Sequence, residues 1–137
     1  MRGYFAPEPE MKLERLDHFG VEVADLARAE RFYTAVLGLE VAARFGDQIL
    51  LNCGGQNLAL FEVSRPALDP GQRRSIIAHP LGRGHHAFTV TREDFAEAPE
   101  RLAAAGVETA TPIDWGDHDC LYFLDPDGNL LEMVSYR

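Results

Sequence analysis

The chain contains one histidine-led strand pattern twice, at residues 18–23 and again at residues 85–90. Each copy continues into a stretch with helical periodicity that ends at a glycine, and then into short runs rich in β-forming residues. The sequence therefore predicts one supersecondary unit, with the order βαβββ, that occurs twice. If the two units face each other, within one chain or between two chains, residues at matching positions can meet across a shared cavity.

Capping residues and turns divide each copy into its elements. Asp25 and Thr91 are predicted to cap the two helices, and Pro99 is expected to kink or restart the second helix. Residues 64–84 lack periodicity and are predicted to form a long connection. The predicted strands are residues 13–23, 39–45, 48–53 and 57–63 in the first copy, and 85–90, 107–113, 120–124 and 129–136 in the second.

Length and composition favour one domain of a cytoplasmic protein. The 137 residues are expected to form a single domain, with module one at about 13–63, a linker at 64–84 and module two at about 85–136. The formal net charge of −9 makes nucleic acid an unfavourable partner. Residues 1–12 have no apolar core and are predicted to form an extended arm rather than a signal peptide or a membrane span. Two cysteines far apart in sequence suit a reducing compartment.

Three residues with metal-binding side chains stand at notable places in the repeat. His18 and His85 begin the two equivalent strands, and Glu132 lies in the last strand of the second copy. Aligning the last strands puts Leu60 at the position equivalent to Glu132. A carboxylate in so apolar a strand is costly to bury unless a positive group meets it. We therefore predict a metal site formed by His18, His85 and Glu132, with His86 as the main competitor of His85, because a register shift would exchange them.

The donor types indicate which metal ions fit. Two histidines and one carboxylate leave coordination positions open, and this set is typical of non-haem Fe(II) oxygenases. Fe(II) is therefore favoured, with Mn, Zn, Ni or Co as alternatives. A small substrate with neighbouring oxygens, such as a catecholate, an enediolate or a hydroxy ketone, could chelate such an ion.

The paired units, the two leading histidines and the ending DPDGNLLE at residues 125–132 together resemble the vicinal oxygen chelate superfamily. This superfamily includes glyoxalase I, bleomycin resistance proteins and extradiol dioxygenases, and the resemblance covers residues 13–136. It implies an α+β fold in which two βαβββ modules form a curled mixed β-sheet cup with flanking helices. It also implies His18, His85 and Glu132 as ligands of a metal inside the cup, and a homodimer.

The resemblance also restricts the reactions that the protein is expected to catalyse. Extradiol dioxygenases share the pattern LYxxDPxG followed by a glutamate, which residues 121–132 satisfy, and this likeness implies that Tyr122 or His118 moves a proton. Glyoxalase I usually carries Glu or Gln at the position of Leu60, and fosfomycin-modifying relatives usually carry Thr at that of Gly20. Both of those activities are therefore disfavoured.

The sequence thus predicts a metal-dependent enzyme that acts on a small molecule through neighbouring oxygens. Dioxygenase-type chemistry is slightly favoured, and a lyase or isomerase of glyoxalase type is the alternative. A hypothesis from a different class is a metal-free drug or metabolite binder of the bleomycin resistance type. Trp115, in a loop, is expected to be edge packing, with a ligand contact as the alternative.

Overall fold

The computed structural model describes Glu8 and residues 10–137, so the predicted arm at residues 1–12 lies mostly outside the described residues. The element order confirms the predicted α+β class and the βαβββ order of both copies. The elements are β1 (His18–Val23), α1 (Leu26–Arg31) continued by a π-helical segment (Phe32–Val36), β2 (Glu40–Phe45), β3 (Gln48–Cys53), β4 (Gln56–Glu62), α2 (Pro70–Ala78), β5 (His86–Thr89), α3 (Arg92–Ala104), β6 (Ile113–Asp114), β7 (His118–Leu124) and β8 (Leu130–Tyr136).

The strands form two mixed sheets of four strands each, with the orders β1-β4-β3-β2 and β5-β8-β7-β6. In both sheets the histidine-led strand lies at the edge and runs parallel to the last strand of its own copy. The other neighbours are antiparallel. The identical order is what a duplicated unit requires. The two sheets stay separate, so one chain does not close the predicted cup.

The register shows which residues of the two sheets are equivalent. Gly20 pairs with Ala59 in the first sheet, and Ala87 pairs with Glu132 in the second. Since Gly20 and Ala87 each follow a leading histidine by two residues, Ala59 is the true equivalent of Glu132. The prediction of Leu60 is wrong by one residue, because Leu60 is fully buried on the opposite face of its sheet.

One hydrophobic core joins the two sheets. On β1 and β8 its members alternate with His18 and Glu132, so the faces that carry the predicted ligands point away from the shared core. We call the face with His18 and Ala59 the first site face, and the face with His85 and Glu132 the second site face. The core includes, among others, Val21, Leu51, Leu58 and Leu60 from the first sheet, Ala29, Phe32, Tyr33 and Leu102 from the helices, and Leu121, Phe123 and Leu131 from the second sheet.

A buried carboxylate in the turn before β8 ties the two copies together. Asp125 is fully buried and accepts hydrogen bonds from the Tyr33 hydroxyl and the Asn129 side-chain amide, both at 2.8 Å. It also accepts from the backbone N–H groups of Asp127 and Asn129, at 2.9 and 2.8 Å. Four donors thus surround one carboxylate, and one of them comes from the first copy.

The same turn makes two further contacts that hold it in place. Asp127 accepts hydrogen bonds from the backbone N–H of Ala24 and from the Arg28 guanidinium, both at 3.0 Å. Gly128 has a φ of 86°, a backbone conformation that favours glycine, and a β-carbon there would displace the side chain of Leu68.

The long connection between the copies contains a helix, α2, that the sequence analysis did not predict. Asp69 caps α2 in a capping box with Gln72, and Pro70 occupies the first turn. Ile76 and Ile77 then pack on a cluster of the second site face that consists of Cys120, Tyr122, Leu124 and Leu130. This helix therefore covers part of the second site face.

Two other predictions differ in detail. The helix α3, capped by Thr91 as predicted, runs through Pro99 without a restart. The strand predicted at 107–113 is reduced to β6, preceded by one bridge between Thr109 and Phe123. Within the described residues, no helix has the length and apolarity needed to cross a membrane.

The Asp125 hydrogen bonds generate a stability prediction. Tyr33→Phe keeps the buried ring but removes the hydroxyl that donates to Asp125, and we expect it to lower the free energy of unfolding by about 2 kcal/mol. Urea unfolding followed by circular dichroism measures this change. Tyr136→Phe is the control, because Tyr136 is exposed. Equal stability of both variants would contradict the proposed role of the turn.

The same residue generates a pH prediction. Burial, followed by the charge of Asp125, raises the pKa of Tyr33 well above its usual 10.0. Above pH 10 the unfolded chain therefore loses this proton before the folded chain does, and the folded state loses stability as pH rises. In Tyr33→Phe the decline in unfolding free energy between pH 9 and pH 11 should be shallower than in the parent.

Candidate metal centre

An imidazole and a carboxylate meet on the second site face. His85 immediately precedes β5, and Glu132 lies in the neighbouring strand β8. The His85 Nε2 atom lies 3.1 Å from Glu132 Oε1. Glu132 is buried, and within the described part of the chain His85 is the basic residue paired with it.

The hydrogen bond made by the second ring nitrogen of His85 indicates which tautomer of the ring faces Glu132. His85 Nδ1 is 2.7 Å from the carbonyl oxygen of Arg83, and only a protonated nitrogen can donate to that oxygen. In a neutral ring, Nε2 then directs a lone pair at the Glu132 carboxylate. Two acceptors this close repel unless a proton or a metal cation lies between them. A backbone carbonyl that orients the far nitrogen is also typical of metal-binding histidines.

Tyr122 lies beside this pair. It is directly opposite Glu132 in the register of β7 and β8, and its ring packs edge-on against His85 with 5.3 Å between centroids. Burial, followed by the charge of Glu132, raises the pKa of Tyr122 above its usual 10.0. The side chain is therefore a neutral phenol at physiological pH and can donate a hydrogen bond.

His18 lies apart from the pair. It begins β1 on the first site face, with its side chain 50% exposed and Nδ1 2.8 Å from Asp17 Oδ1. Among the described residues, no three His, Cys, Asp or Glu side chains are grouped closely enough to hold one ion. The structure therefore brings together two of the three predicted ligands and leaves His18 on the other sheet.

His118 is also remote from the pair. It begins β7 four positions before Tyr122, which corresponds to about 13 Å along a strand. Its Nδ1 lies 2.6 Å from Asp117 Oδ1, and its ring contacts Trp115 and Tyr136. Of the two predicted proton-transfer residues, only Tyr122 lies next to Glu132.

His86, the competitor of His85, belongs to the opposite face of the sheet. Its ring lies against Phe19, with 5.3 Å between centroids. Burial, followed by the charge of His85, lowers the pKa of His86. The His86 ring therefore lies on the face opposite the second site face, and His85 is the histidine that meets Glu132.

Two groups at the site were missed in the sequence analysis. One is the Arg83 carbonyl oxygen, which no side-chain pattern can reveal because every residue has one. The other is Cys120, which lies on the second site face beside Tyr122 and is fully buried. Its position two residues before Tyr122 in an alternating strand was the available signal.

Comparisons with known proteins agree on one family. Residues 15–133 match the Glyoxalase/Bleomycin resistance protein/Dioxygenase superfamily. The chain is 34% identical to glutathione transferase FosA of Serratia marcescens, over 88% of this chain and 80% of that protein. It is 32% identical to metapyrocatechase 2 of Cupriavidus necator, over 93% of this chain but only 35% of that protein.

Solved structures show the same fold. The fosfomycin resistance protein FosX from Listeria monocytogenes superposes with a TM-score of 0.72 at 22% identity, over 92% of this chain and 96% of that one. Lactoylglutathione lyase from Agrobacterium tumefaciens superposes with a TM-score of 0.68 at 25% identity, over 91% and 96%.

The buried Glu132 carboxylate generates a prediction about stability. Glu132→Leu suits the apolar surroundings and removes a buried charge whose ion-pair partner in the described part of the chain is His85, so we expect the metal-free variant to be more stable by about 1 kcal/mol. Chemical denaturation in EDTA measures the change.

Glu108→Leu is the matched control for this prediction. Arg73 donates two hydrogen bonds to Glu108, at 2.5 and 2.8 Å, and this contact lowers the pKa of Glu108. Loss of that ion pair should destabilise the fold. A loss of stability in both variants would show that Glu132 has a structural role instead.

Proposed function

The chain belongs to the glyoxalase/bleomycin resistance protein/dioxygenase superfamily, and from this premise we propose that it is a metal-dependent enzyme that acts on a small, oxygen-chelating molecule. The observation that carries the proposal is the pair of His85 and Glu132. The His85 Nε2 atom lies 3.1 Å from Glu132 Oε1, and His85 Nδ1 is hydrogen-bonded to the carbonyl oxygen of Arg83. Two electron donors in this arrangement fit a divalent cation.

We propose His18 of a second copy as the third ligand. In one chain the two site faces point away from the shared core, so a ligand from each face can meet only between two copies. His18 begins the edge strand β1 and His85 immediately precedes the edge strand β5, and neither strand has a second neighbour in the described part of the chain. Open edges favour contact with another chain.

Each residue of this chain would have a distinct role at such a site. A bound divalent ion supplies Lewis acidity toward substrate oxygens. The Arg83 carbonyl orients His85, and Glu132 adds a negative charge that favours a cation. The Tyr122 phenol, directly opposite Glu132 in the register of β7 and β8, is positioned to donate a hydrogen bond to a substrate oxygen. Fe(II) is the favoured ion from the donor set, and Mn(II), bound in one solved FosX structure, is the first alternative.

Dioxygenase-type ring cleavage is the reaction we propose to test first, because residues 121–132 carry the dioxygenase pattern. Thiol transfer to a small molecule is the second candidate. It is favoured by the match to glutathione transferase FosA over 80% of that protein, whereas metapyrocatechase 2 is matched over only 35%. Isomerase chemistry that needs a second carboxylate is disfavoured, because Ala59 stands where the first sheet would supply it.

If the reaction is thiol transfer, the acceptor is expected to differ from fosfomycin. A β-carbon at Gly20 would lie 3.2 Å from Cε2 of Phe61. A side chain at this position would require the ring of Phe61 to shift by a few tenths of an ångström, and that ring makes the first site face more apolar at this point.

Metal binding is the first test. Protein purified without a histidine tag and reconstituted anaerobically should bind about one ion per chain, with affinity reduced more than about 100-fold in His85→Ala and Glu132→Ala. His79→Ala, an exposed histidine outside the site, should bind as the parent does. The loaded protein is then screened with catechols and oxygen, with thiols and electrophiles, and with α-ketoaldehydes. Absence of metal binding in the parent would favour a metal-free binding protein instead.

Complementation tests whether two copies share the site. His18→Ala and Glu132→Ala are refolded together in equal amounts, so that half of the dimers are mixed and each mixed dimer keeps one intact site of two. Metal capacity of the mixture should therefore reach about one quarter of the parent's, whereas each variant alone should bind almost none. No recovery on mixing would contradict a shared site.

A further inference from the structure

We propose that Cys120 is a positioning residue of the metal centre: its thiol, oriented by the Trp115 indole, donates a hydrogen bond to Glu132 and holds the carboxylate in place for a metal ion. The inference rests on the proposed function, because it concerns a ligand of the same site. Cys120 acts through Glu132 and contacts neither the ion nor the substrate.

The register places Cys120 and Glu132 diagonally across two neighbouring strands. Tyr122 is directly opposite Glu132, and Cys120 lies two residues before Tyr122 in β7. Side chains two residues apart on a strand share a face, so the thiol points to the same side as the carboxylate. Diagonal neighbours of an antiparallel pair lie about 7–8 Å apart, which is within reach of a long side chain such as glutamate.

The Trp115 indole determines the direction of the thiol proton. Its N–H donates to Cys120 Sγ at 3.2 Å, and an indole nitrogen can only donate. The backbone N–H of Trp115 donates to the His118 carbonyl at 2.9 Å, which anchors the residue that bears the indole. The sulfur is the acceptor in the contact with Trp115, so its own proton is left for a different acceptor. Glu132 is a buried carboxylate on this face, and the register brings it within reach.

The contact between thiol and carboxylate is shielded from water. Cys120 is fully buried, and the isoleucines of α2 pack against its cluster. Burial raises the pKa of Cys120, the N–H of Trp115 opposes this effect, and Glu132 raises the pKa further through a hydrogen bond and its charge. A thiol is a weak donor in general, but a charged acceptor in surroundings without water strengthens its hydrogen bond.

A fixed carboxylate favours metal binding, because a free glutamate side chain has several rotamers. Glu132 Oε1 lies 3.1 Å from His85 Nε2, and both atoms must keep their positions to hold one ion. The Arg83 carbonyl orients the imidazole, and Cys120 does the same for the carboxylate. Each ligand of the pair then has a partner that sets its orientation, as is usual at metal centres. Less side-chain entropy is therefore lost when the ion binds.

The affinity of cysteine variants for Mn(II) is the first test, because Mn(II) prefers carboxylate to thiolate ligands and a change in affinity then reports on Glu132. Cys120→Ala removes the donor and should weaken Mn(II) binding by about 10-fold or more, the usual effect of losing the partner of a metal ligand. Cys120→Ser can still accept from Trp115 and donate to Glu132, so it should bind as the parent does.

The second cysteine of the chain provides a matched control. Cys53 ends β3 in the first sheet, so Cys53→Ala removes a thiol without touching the pair and should leave the affinity for Mn(II) unchanged. Thermal unfolding of the metal-free variants excludes loss of the fold as the cause of weaker binding.

The hydrogen bonds can also be tested without metal. Trp115 is the only tryptophan in the sequence, so the NMR spectrum of the ¹⁵N-labelled protein contains one indole N–H signal. Glu132→Gln should move this signal to a lower proton chemical shift, because a thiol that donates to a neutral amide is a weaker acceptor. In Cys120→Ala the same substitution should leave the signal almost unmoved. Glu108→Gln is the control, since this carboxylate pairs with Arg73.

The two measurements separate this inference from the proposed function. If the parent binds Mn(II) and Cys120→Ala binds it equally well, the positioning role is overturned and the proposed function stands. Equal losses in the alanine and serine variants would also overturn it, because the thiol would then act by packing. If no metal binds but the indole signal responds to Glu132→Gln only when Cys120 is present, the hydrogen bonds are supported and the proposed function falls. A response that persists in Cys120→Ala would overturn the hydrogen bonds themselves.

Discussion

The structure depends on one buried carboxylate, that of Asp125, in the turn before the last strand. It accepts hydrogen bonds from Tyr33 in the first copy and from three donors in its own turn. A charge at this depth is tolerated only because all of its acceptor capacity is used. Burial raises the pKa of Asp125, while the hydrogen bonds from Asn129 oppose that shift. The turn positions β8 and hence Glu132, so the contact that joins the two copies also places the candidate ligand.

For Glu132, in contrast, few partners offset the cost of burying the carboxylate. Its carboxylate is buried in an apolar strand and, among the residues that the structure describes, forms an ion pair with one imidazole, whereas Asp125 has four hydrogen-bond donors. A fold selected only for stability would place a leucine here, as the neighbouring residues Leu130 and Leu131 suggest. Rules that relate sequence to stability fail at functional sites, because the chemistry there requires groups that the fold alone does not favour. This contrast is the reason for assigning structure to the first carboxylate and function to the second.

Much of this could be predicted from the sequence, and the errors have physical causes. The duplicated pattern predicted both modules and the equivalence of His18 and His85, because repeats and alternation are local properties. The equivalence of Leu60 and Glu132 was wrong by one residue, since aligning letters does not establish hydrogen-bond register. The helix α2 was missed although its capping box was present, because its sequence lacks clear amphipathic periodicity. The separation of His18 from the pair was beyond prediction, as it depends on which faces share the core.

The packing of the two sheets through their core faces explains why the proposed site would need a second copy of the chain. The faces of the two sheets that pack with α1 and α3 carry the shared hydrophobic core, and they pack together within one chain. Packing the two site faces together instead would expose this core to water, at about 25 cal/mol for each Å² of apolar surface. The first and second site faces therefore point outward, each with part of the proposed ligand set. A twofold axis between two copies can then set the first face of each chain against the second face of the other, giving two identical complete sites from one sequence.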